Sequence, residues 1–239
     1  VHKVLAISSY KSSIVMAEER GSFPIWNYEK EKGNPFINRV IDSEEFDLSL
    51  LPKYLASGRR NISNLTIAPT GSISLLTQTT SGIEPAYMIA YKRRRRVNNE
   101  ETATFKDESG DLWEEYNVFH HKFQDWFDKN WFKLKPSWYD LDHHPELSTL
   151  EDEDIKMIIE KSPYYKATSQ DVDWVSKVKL QGKVQKWVDH SISATTNIPK
   201  DTPVEVVNQI YLTAYESGCK GHTIYRDGSR SEQPLQKKE

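Results

Sequence analysis

The chain of 239 residues holds a single cysteine, Cys219. One thiol excludes an internal disulfide and any mechanism that needs a dithiol within the chain, and it fits a reducing, cytoplasmic setting. Long hydrophobic runs are also missing. No apolar stretch approaches the roughly 18 residues that a membrane-spanning helix requires. The opening Val1-His-Lys-Val-Leu-Ala has neither the apolar core nor the small-residue cleavage site of a signal peptide. Residue 1 is not Met, which fits a start inside a longer protein or processing. Excess charge of one sign is absent too: net charge is −3, so nothing overall directs the chain to nucleic acid or membrane. Neither Cys-x-x-Cys nor His-Glu-x-x-His spacing occurs. Neighbouring histidines on a helix point in different directions, so His120-His121 and His143-His144 do not make a metal site. There is no internal repeat and no low-complexity tract.

What is present suffices for a core. Hydrophobic residues make up 37% and aromatics 11% of the chain, under a very polar surface. Leu5, Ile7, Ile14, Val15 and Ala17 have helical spacing, with Gly21 as the stop. Pro35 and Pro52 punctuate short helices over 34–57. Ser57-Gly-Arg-Arg-Asn61 is a polar turn leading to a short apolar strand, Leu65 to Ala68. A helix over Ile73 to Thr80 ends at Gly82. Ile83 to Tyr91 reads as a strand running into Lys92-Arg-Arg-Arg-Arg96, a solvated strand end. Residues 97–147 form an insertion-like excursion: polar over 97–112, then an aromatic helix face of Phe119, Phe123, Trp126 and Phe127, then a Pro-, Asp- and His-containing loop over 136–147. Ser148 begins a helix with acids in its first turn. Trp174, Val178, Val184 and Val188 mark another helix, followed by a strand from His190 to Pro199. Asp201 or Thr202 caps the next helix, with Pro203 at its first position, and that helix runs to Gly218. His222 to Tyr225 is a last strand, Arg226 to Ser229 a turn, and 231–239 a disordered tail. This order implies an α/β architecture with short apolar strands of the kind that form barrel staves.

The most informative stretch is Asn64-Leu-Thr-Ile-Ala-Pro-Thr-Gly-Ser-Ile-Ser74. A strand ends at Pro69 and hands over to a helix N-terminus. The first N–H groups of a helix have no intrahelical partner and carry the positive end of its dipole, which suits a phosphate. Gly71 permits close backbone approach, and the hydroxyls of Thr70, Ser72 and Ser74 add donors. The same pattern also describes an ordinary capped helix after a buried strand.

Several motifs in order resemble one family. Ala68-Pro-Thr-Gly-Ser-Ile-Ser74, Ser81-Gly-Ile-Glu-Pro85 and Tyr91 with its arginine run are similar to the late catalytic-barrel segment of ribonucleotide reductase large subunits. So are Ala167-Thr168 with Asp171-Val-Asp-Trp174, Asp189-His-Ser-Ile-Ser193 with Thr196-Asn-Ile-Pro199, and Gly221-His-Thr-Ile-Tyr-Arg-Asp-Gly-Ser-Arg230. The likeness is to the adenosylcobalamin-dependent class II and extends from about residue 5 to residue 231, with 97–147 its weakest part.

The resemblance implies a ten-stranded α/β barrel of which residues 1–230 supply roughly the C-terminal half. It implies that Pro69, Thr70, Gly71, Ser72 and Ile73 bind the phosphates of a ribonucleoside di- or triphosphate, with Ser74 an extension of that turn. Family catalysis uses a thiyl radical and a reducing cysteine pair. The context of the radical cysteine does not occur in this sequence, and Cys219 matches none of the catalytic cysteines. Glu84 is not the family's catalytic glutamate and reads as structural or as a residue supporting the site from behind. Tyr225 carries no radical role, and no catalytic residue is assigned. The implied partners are adenosylcobalamin, an N-terminal half bearing the cysteines, an external dithiol and an oligomer. Two alternatives stay open: a non-catalytic nucleotide-binding subunit, and a fragment of a class I large subunit served by a metal-bearing radical partner.

Overall fold

A computed structural model describes residues 1–107, 110–135 and 144–229. His143, the rest of 136–143, Arg230 and the tail expected to be disordered lie outside the described residues.

The N-terminal helix α1 (His2–Arg20) buries Ala6, Ile7, Tyr10, Ile14 and Ala17 and ends at Gly21, whose φ of 80° is suited to glycine. Of the apolar positions read from the sequence, Leu5 and Val15 stay at the surface; small Ala6 and aromatic Tyr10 take the core positions instead. Helix α2 (Tyr28–Glu31) is capped by Asn27, and α3 (Pro35–Ile41) by Asn34, with Pro35 at its first position. Helix α4 (Leu51–Ser57) carries Pro52 in its first turn and stops at Gly58. A β-carbon at Gly58 would lie 2.4 Å from the Trp26 ring, and φ is +72°, so glycine is required there twice over. These helices enclose one core around Ile7, Tyr10, Ile14, Ile37, Val40 and Tyr54.

The turn before the Leu65 strand is not simply polar. Arg59 is buried and donates through Nε to Glu31 Oε1 at 2.8 Å. Trp26 Nε1 and Tyr54 Oη both donate to Glu31 Oε2 at 2.8 Å. The guanidinium also lies over the Tyr10 and Phe23 rings, at 5.3 and 5.1 Å. A buried charge persists only when paired and hydrogen-bonded, and both ions here are.

After the strand comes α5 (Gly71–Thr77), which ends sooner than expected because Gln78 turns left-handed at φ 54°. The strand expected over Ile83–Tyr91 lies further on, as β1 (Ala90–Val97), so the basic run is the strand itself. The reason is across the sheet. β1 pairs antiparallel with β3 (Leu112–Phe119), placing Arg94 opposite Glu115 and Arg95 opposite Glu114, and both pairs hydrogen-bond. β2 (Phe105–Lys106) completes this sheet, in order β1-β3-β2. Phe119 therefore ends a strand; only Phe123, Trp126 and Phe127 of the expected stripe lie on α6 (His121–Leu134). A second core joins α6 through Phe123, Phe127 and Trp131 to Ile158 of α7 (Asp152–Lys161). Ser148 does not cap α7: it sits in a 3-10 turn where its hydroxyl engages Glu146, and Glu151 is the N-cap.

Helix α8 (Trp174–Gln185), β4 (Thr195–Ile198), α9 (Val204–Glu216) and β5 (Thr223–Arg226) form the last unit. Pro203 is the N-cap of α9; Asp201 and Thr202 precede it in a turn closed by Thr202 N–H on Pro199 O. β4 and β5 are parallel, joined by the α9 crossover. Val178, Ile210 and Ala214 of the helices pack on Ile198 and Ile224. The mixture of helices with parallel strands fits an α/β class. Among the described residues the sheets are a three-stranded antiparallel and a two-stranded parallel one, and no closed barrel is formed.

Candidate functional site

The Leu65–Ala68 segment is extended and pairs in parallel with 190–193. Ile67 bridges Ile192, Ser193 N–H donates to Ile67 O at 2.7 Å, and His190 N–H donates to Leu65 O at 3.0 Å. Its entry is fixed by one side chain. The Asp189 carboxylate accepts the backbone N–H of Asn64 at 2.7 Å and of Leu65 at 2.8 Å, and the Tyr10 hydroxyl at 2.6 Å. Hydrogen bonds to a carboxylate are roughly twice as strong as neutral ones. Burial, followed by that bond to Asp189, pushes the Tyr10 phenol far above its ordinary value, so Tyr10 stays a donor. Asp189 thus ties α1 to the strand that delivers the Pro69 turn. The sequence shows Asp189 inside a family motif but gives it no role, since its partners lie more than a hundred residues away.

Beyond the strand, Thr70 is the N-cap of α5 but offers no side-chain cap. The first intrahelical bond runs from Ser74 N–H to Thr70 O at 2.8 Å. The N–H groups of Gly71, Ser72 and Ile73 donate to nothing among the described residues, and all three residues are exposed. Space for a β-carbon at Gly71 is open, with no atom within 4 Å. Ser74 differs: it is buried and its hydroxyl donates to Gly71 O at 2.7 Å, so its side chain is used within the helix. Pro69 has no N–H to give. The turn thus groups three free backbone donors with the hydroxyls of Thr70 and Ser72 around an open glycine.

A second concave region lies on the helix side of β4 and β5, a cleft of about 190 Å³ whose wall includes Glu84, Lys177, Gln181, Thr196 and His222. Its polar groups answer one another. Thr195 N–H donates to Glu84 Oε1 at 2.5 Å, and Lys177 Nζ donates to Ser169 O at 2.6 Å. Gln181 Nε2 donates to Gly221 O at 2.7 Å, which leaves its Oε1 to accept Nδ1–H of His222 at 2.8 Å. Burial and then the Lys177 charge push the His222 pKa down, so the ring is neutral, with Nε2 accepting from the Thr196 hydroxyl at 3.0 Å. Burial raises the Glu84 carboxyl, against the Thr195 bond and the Lys177 charge. This network braces the helix layer against the sheet, with Glu84 bonded to the β4 backbone at Thr195.

The histidines are similarly occupied. His120 caps α6, accepting Lys122 N–H at 3.3 Å, and His144 packs edge-on against Phe127. Among the described residues no group of three or more His, Cys, Asp or Glu could hold a metal. Cys219 is half-buried beside Val178, and burial pushes its thiol pKa up, away from the reactive thiolate.

Parallel strands covered on one face by helices place the chain in the α/β class. The chain belongs to the ribonucleotide reductase barrel-domain family, whose model matches residues 1–225. It is similar to a vitamin B12-dependent ribonucleoside-diphosphate reductase of Thermoplasma acidophilum, with 26% identity over 234 residues, covering 95% of this chain and 24% of that one. A reductase of the same description from Mycobacterium tuberculosis is 27% identical over 231 residues, covering 95% of this chain and 27% of that protein. A vitamin B12-dependent ribonucleotide reductase of Streptomyces clavuligerus is 38% identical over 61 residues, 26% of this chain and 6% of that one. The chain spans about a quarter of the length of the curated relatives it matches over most of its own sequence. No helix among the described residues is long and apolar enough to cross a membrane.

Proposed function

We propose that this chain provides the substrate-phosphate site of a cobalamin-dependent ribonucleotide reductase, and that the cysteines of the reaction come from elsewhere. One observation carries the reading: the exposed residues Gly71, Ser72 and Ile73 hold three N–H groups unpaired among the described residues, at the end of a strand locked by Asp189. A di- or triphosphate accepts several such bonds at once, and the helix end favours its negative charge. Holding the phosphates fixes where the sugar lies, so the turn contributes by orientation while the redox chemistry takes place on other groups. Pro69 sets the direction in which the chain enters the turn, Thr70 and Ser72 add hydroxyl donors, and Ser74 braces the turn from within.

The relatives' names support cobalamin as the cofactor over a class I arrangement. When bound, that cofactor would supply the radical. The helix-side cleft does not fit it: its volume of about 190 Å³ is below the roughly 300–1,000 Å³ of an ordinary small-molecule site, and a corrin is larger still. A cysteine-bearing half, an external dithiol and a complete barrel belong to the same reading. The single cysteine also supports a second one, a nucleotide-binding subunit that regulates a complete reductase.

The test is titration of the full chain with pyrophosphate and a ribonucleoside diphosphate, for the wild type and for Gly71→Val. A β-carbon at this position meets no protein atom within 4 Å, and valine is no worse than glycine in a helix, so the fold is expected to hold. Binding of both ligands is expected to weaken at least about tenfold, because the added side chain holds the phosphate away from the backbone N–H groups and each charge-assisted hydrogen bond lost is worth about 1.5–3 kcal/mol. Equal affinity in the two proteins rejects the turn as the phosphate site. Restored turnover on adding a cysteine-bearing half separates the catalytic reading from the regulatory one.

A further inference from the structure

The two faces of the parallel sheet differ in chemistry. Side chains alternate along a strand, so Thr196, Ile198 and Ile224 share one face and Thr195, Asn197 and Tyr225 the other. Helices α8 and α9 cover the first, burying Ile198 and partly covering Ile224. The second face has polar neighbours instead. Asp227 continues it past β5, with its N–H donating to Ile198 O at 3.0 Å. One Asp227 oxygen, Oδ2, is reached by Gln170 Nε2 at only 3.5 Å, and the same Nε2 lies 3.4 Å from the Tyr87 hydroxyl. Oδ1 of Asp227 is buried and has no hydrogen-bond partner among the described residues. Asn197 Nδ2 donates to Ser169 Oγ at 3.2 Å, next to Gln170.

A buried, unpaired carboxylate oxygen keeps its full desolvation cost, and native folds rarely leave one without a reason. The contrast with the other face is direct, because there Glu84, Lys177, Gln181 and His222 all have close partners. The position is also informative. The Leu65–Ala68 segment is parallel to 190–193 and β4 is parallel to β5, so Pro69 and Asp227 both lie at carboxyl ends of parallel strands. In open α/β sheets and barrels that is the end where ligands bind.

The geometry points to a hydroxyl-binding subsite formed by Asp227, Gln170 and Tyr87, which receives the sugar of the ligand whose phosphates the Gly71 turn holds. This rests on the phosphate reading above. The donor set fits a sugar better than a cation. A single carboxylate stands among an amide and a phenol, no three His, Cys, Asp or Glu converge among the described residues, and neutral groups that both donate and accept match vicinal hydroxyls. A sugar hydroxyl donating to Asp227 Oδ1 satisfies the unpaired atom, and its own oxygen can accept from Gln170.

The experiment measures affinities of the full chain for pyrophosphate, ADP and 2′,3′-dideoxyadenosine diphosphate, in the wild type, Asp227→Ala and Tyr87→Phe. Asp227→Ala is expected to weaken ADP about tenfold or more and to leave pyrophosphate and the dideoxy nucleotide unchanged. Tyr87→Phe removes one hydroxyl without altering shape, and is expected to show the same selectivity at smaller amplitude. Removing an unpaired buried acceptor is expected to leave Tm unchanged or higher. Equal losses for all three ligands, no loss for any, or a Tm lower by several degrees for Asp227→Ala overturns the subsite. The two readings fail separately. A wild type that binds pyrophosphate but gains nothing from the ribose hydroxyls keeps the turn and removes the subsite. A wild type that ignores pyrophosphate but binds ADP in an Asp227-dependent manner does the reverse.

Discussion

Arg59 shows how much one residue can organise. Its guanidinium joins Glu31 within the N-terminal core, donates to the carbonyls of Asn61 and Ile62 at 2.5 and 2.7 Å, and stacks over Tyr10, which in turn holds Asp189. The contacts therefore run from α2 to the strand before the Gly71 turn. Removing one member of a buried pair leaves the other charge uncompensated, a loss of about 3–5 kcal/mol. Arg59→Ala is expected to show that loss in urea unfolding, whereas Arg60→Ala, on an exposed neighbour, is expected to change stability by less than about 0.5 kcal/mol. Glu31 makes the pair sensitive to acid. Burial pushes its carboxyl pKa up, but hydrogen bonds from Arg59, Trp26 and Tyr54 outweigh this, and the net shift is downward. A depressed folded value means that the stabilisation is complete above the unfolded glutamate range of about 4.3 and fades as pH falls through the lower folded value. Glu31→Gln is expected to flatten stability against pH over that acid range; an unchanged slope would remove Glu31 as its source.

At the scale of elements, the interface between α8 and α9 depends on one small residue. A β-carbon at Gly182 would lie 2.4 Å from Ser217 O and 2.6 Å from Ser217 Cβ, and backbone at that distance cannot move aside locally. Gly182→Ala is expected to cost about 1–3 kcal/mol through overpacking, visible as a Tm lower by roughly 2–4 °C per kcal/mol. The same change at Gly71 meets nothing within 4 Å and is expected to leave Tm where it is. The contrast separates a packing glycine from an access glycine, and identical Tm changes at the two sites would refute it. The sequence singles out Gly71 as the glycine of the turn but gives Gly182 no role. Local chemistry is legible: Gly21 stops α1, Pro35 opens α3, and strand-turn-helix around Pro69 follows from residue type alone. Distant pairing is not. The arginine run becomes strand β1 because Glu114 and Glu115 lie opposite it, and the Arg59 turn is buried because Glu31 waits in another element. Asp189 is hidden for the same reason, and the Asp227 face becomes visible only once β4 and β5 are laid side by side.

For the whole molecule, the sheet and its helices are partial solutions to burial. Tyr215 is 83% exposed on α9, and Leu76 is 85% exposed on α5, each with further exposed apolar neighbours. Large apolar side chains left exposed on one helix suit association with another surface, and the chain spans about a quarter of the relatives it matches along most of its length. It holds one thiol, which burial keeps protonated. A reductase cycle needs a radical thiol and a reducing pair, so the isolated chain with adenosylcobalamin and a dithiol is expected to bind nucleotide and produce no deoxynucleotide. Sedimentation is expected to show concentration-dependent self-association, reduced by Tyr215→Ser together with Leu76→Ser while phosphate binding persists. The two measurements bear on each other. Turnover by the purified single chain would mean that Cys219 or another group carries chemistry, and the division of labour proposed here would fall. Binding without turnover, in a chain that associates through these faces, is the outcome that this division of labour requires.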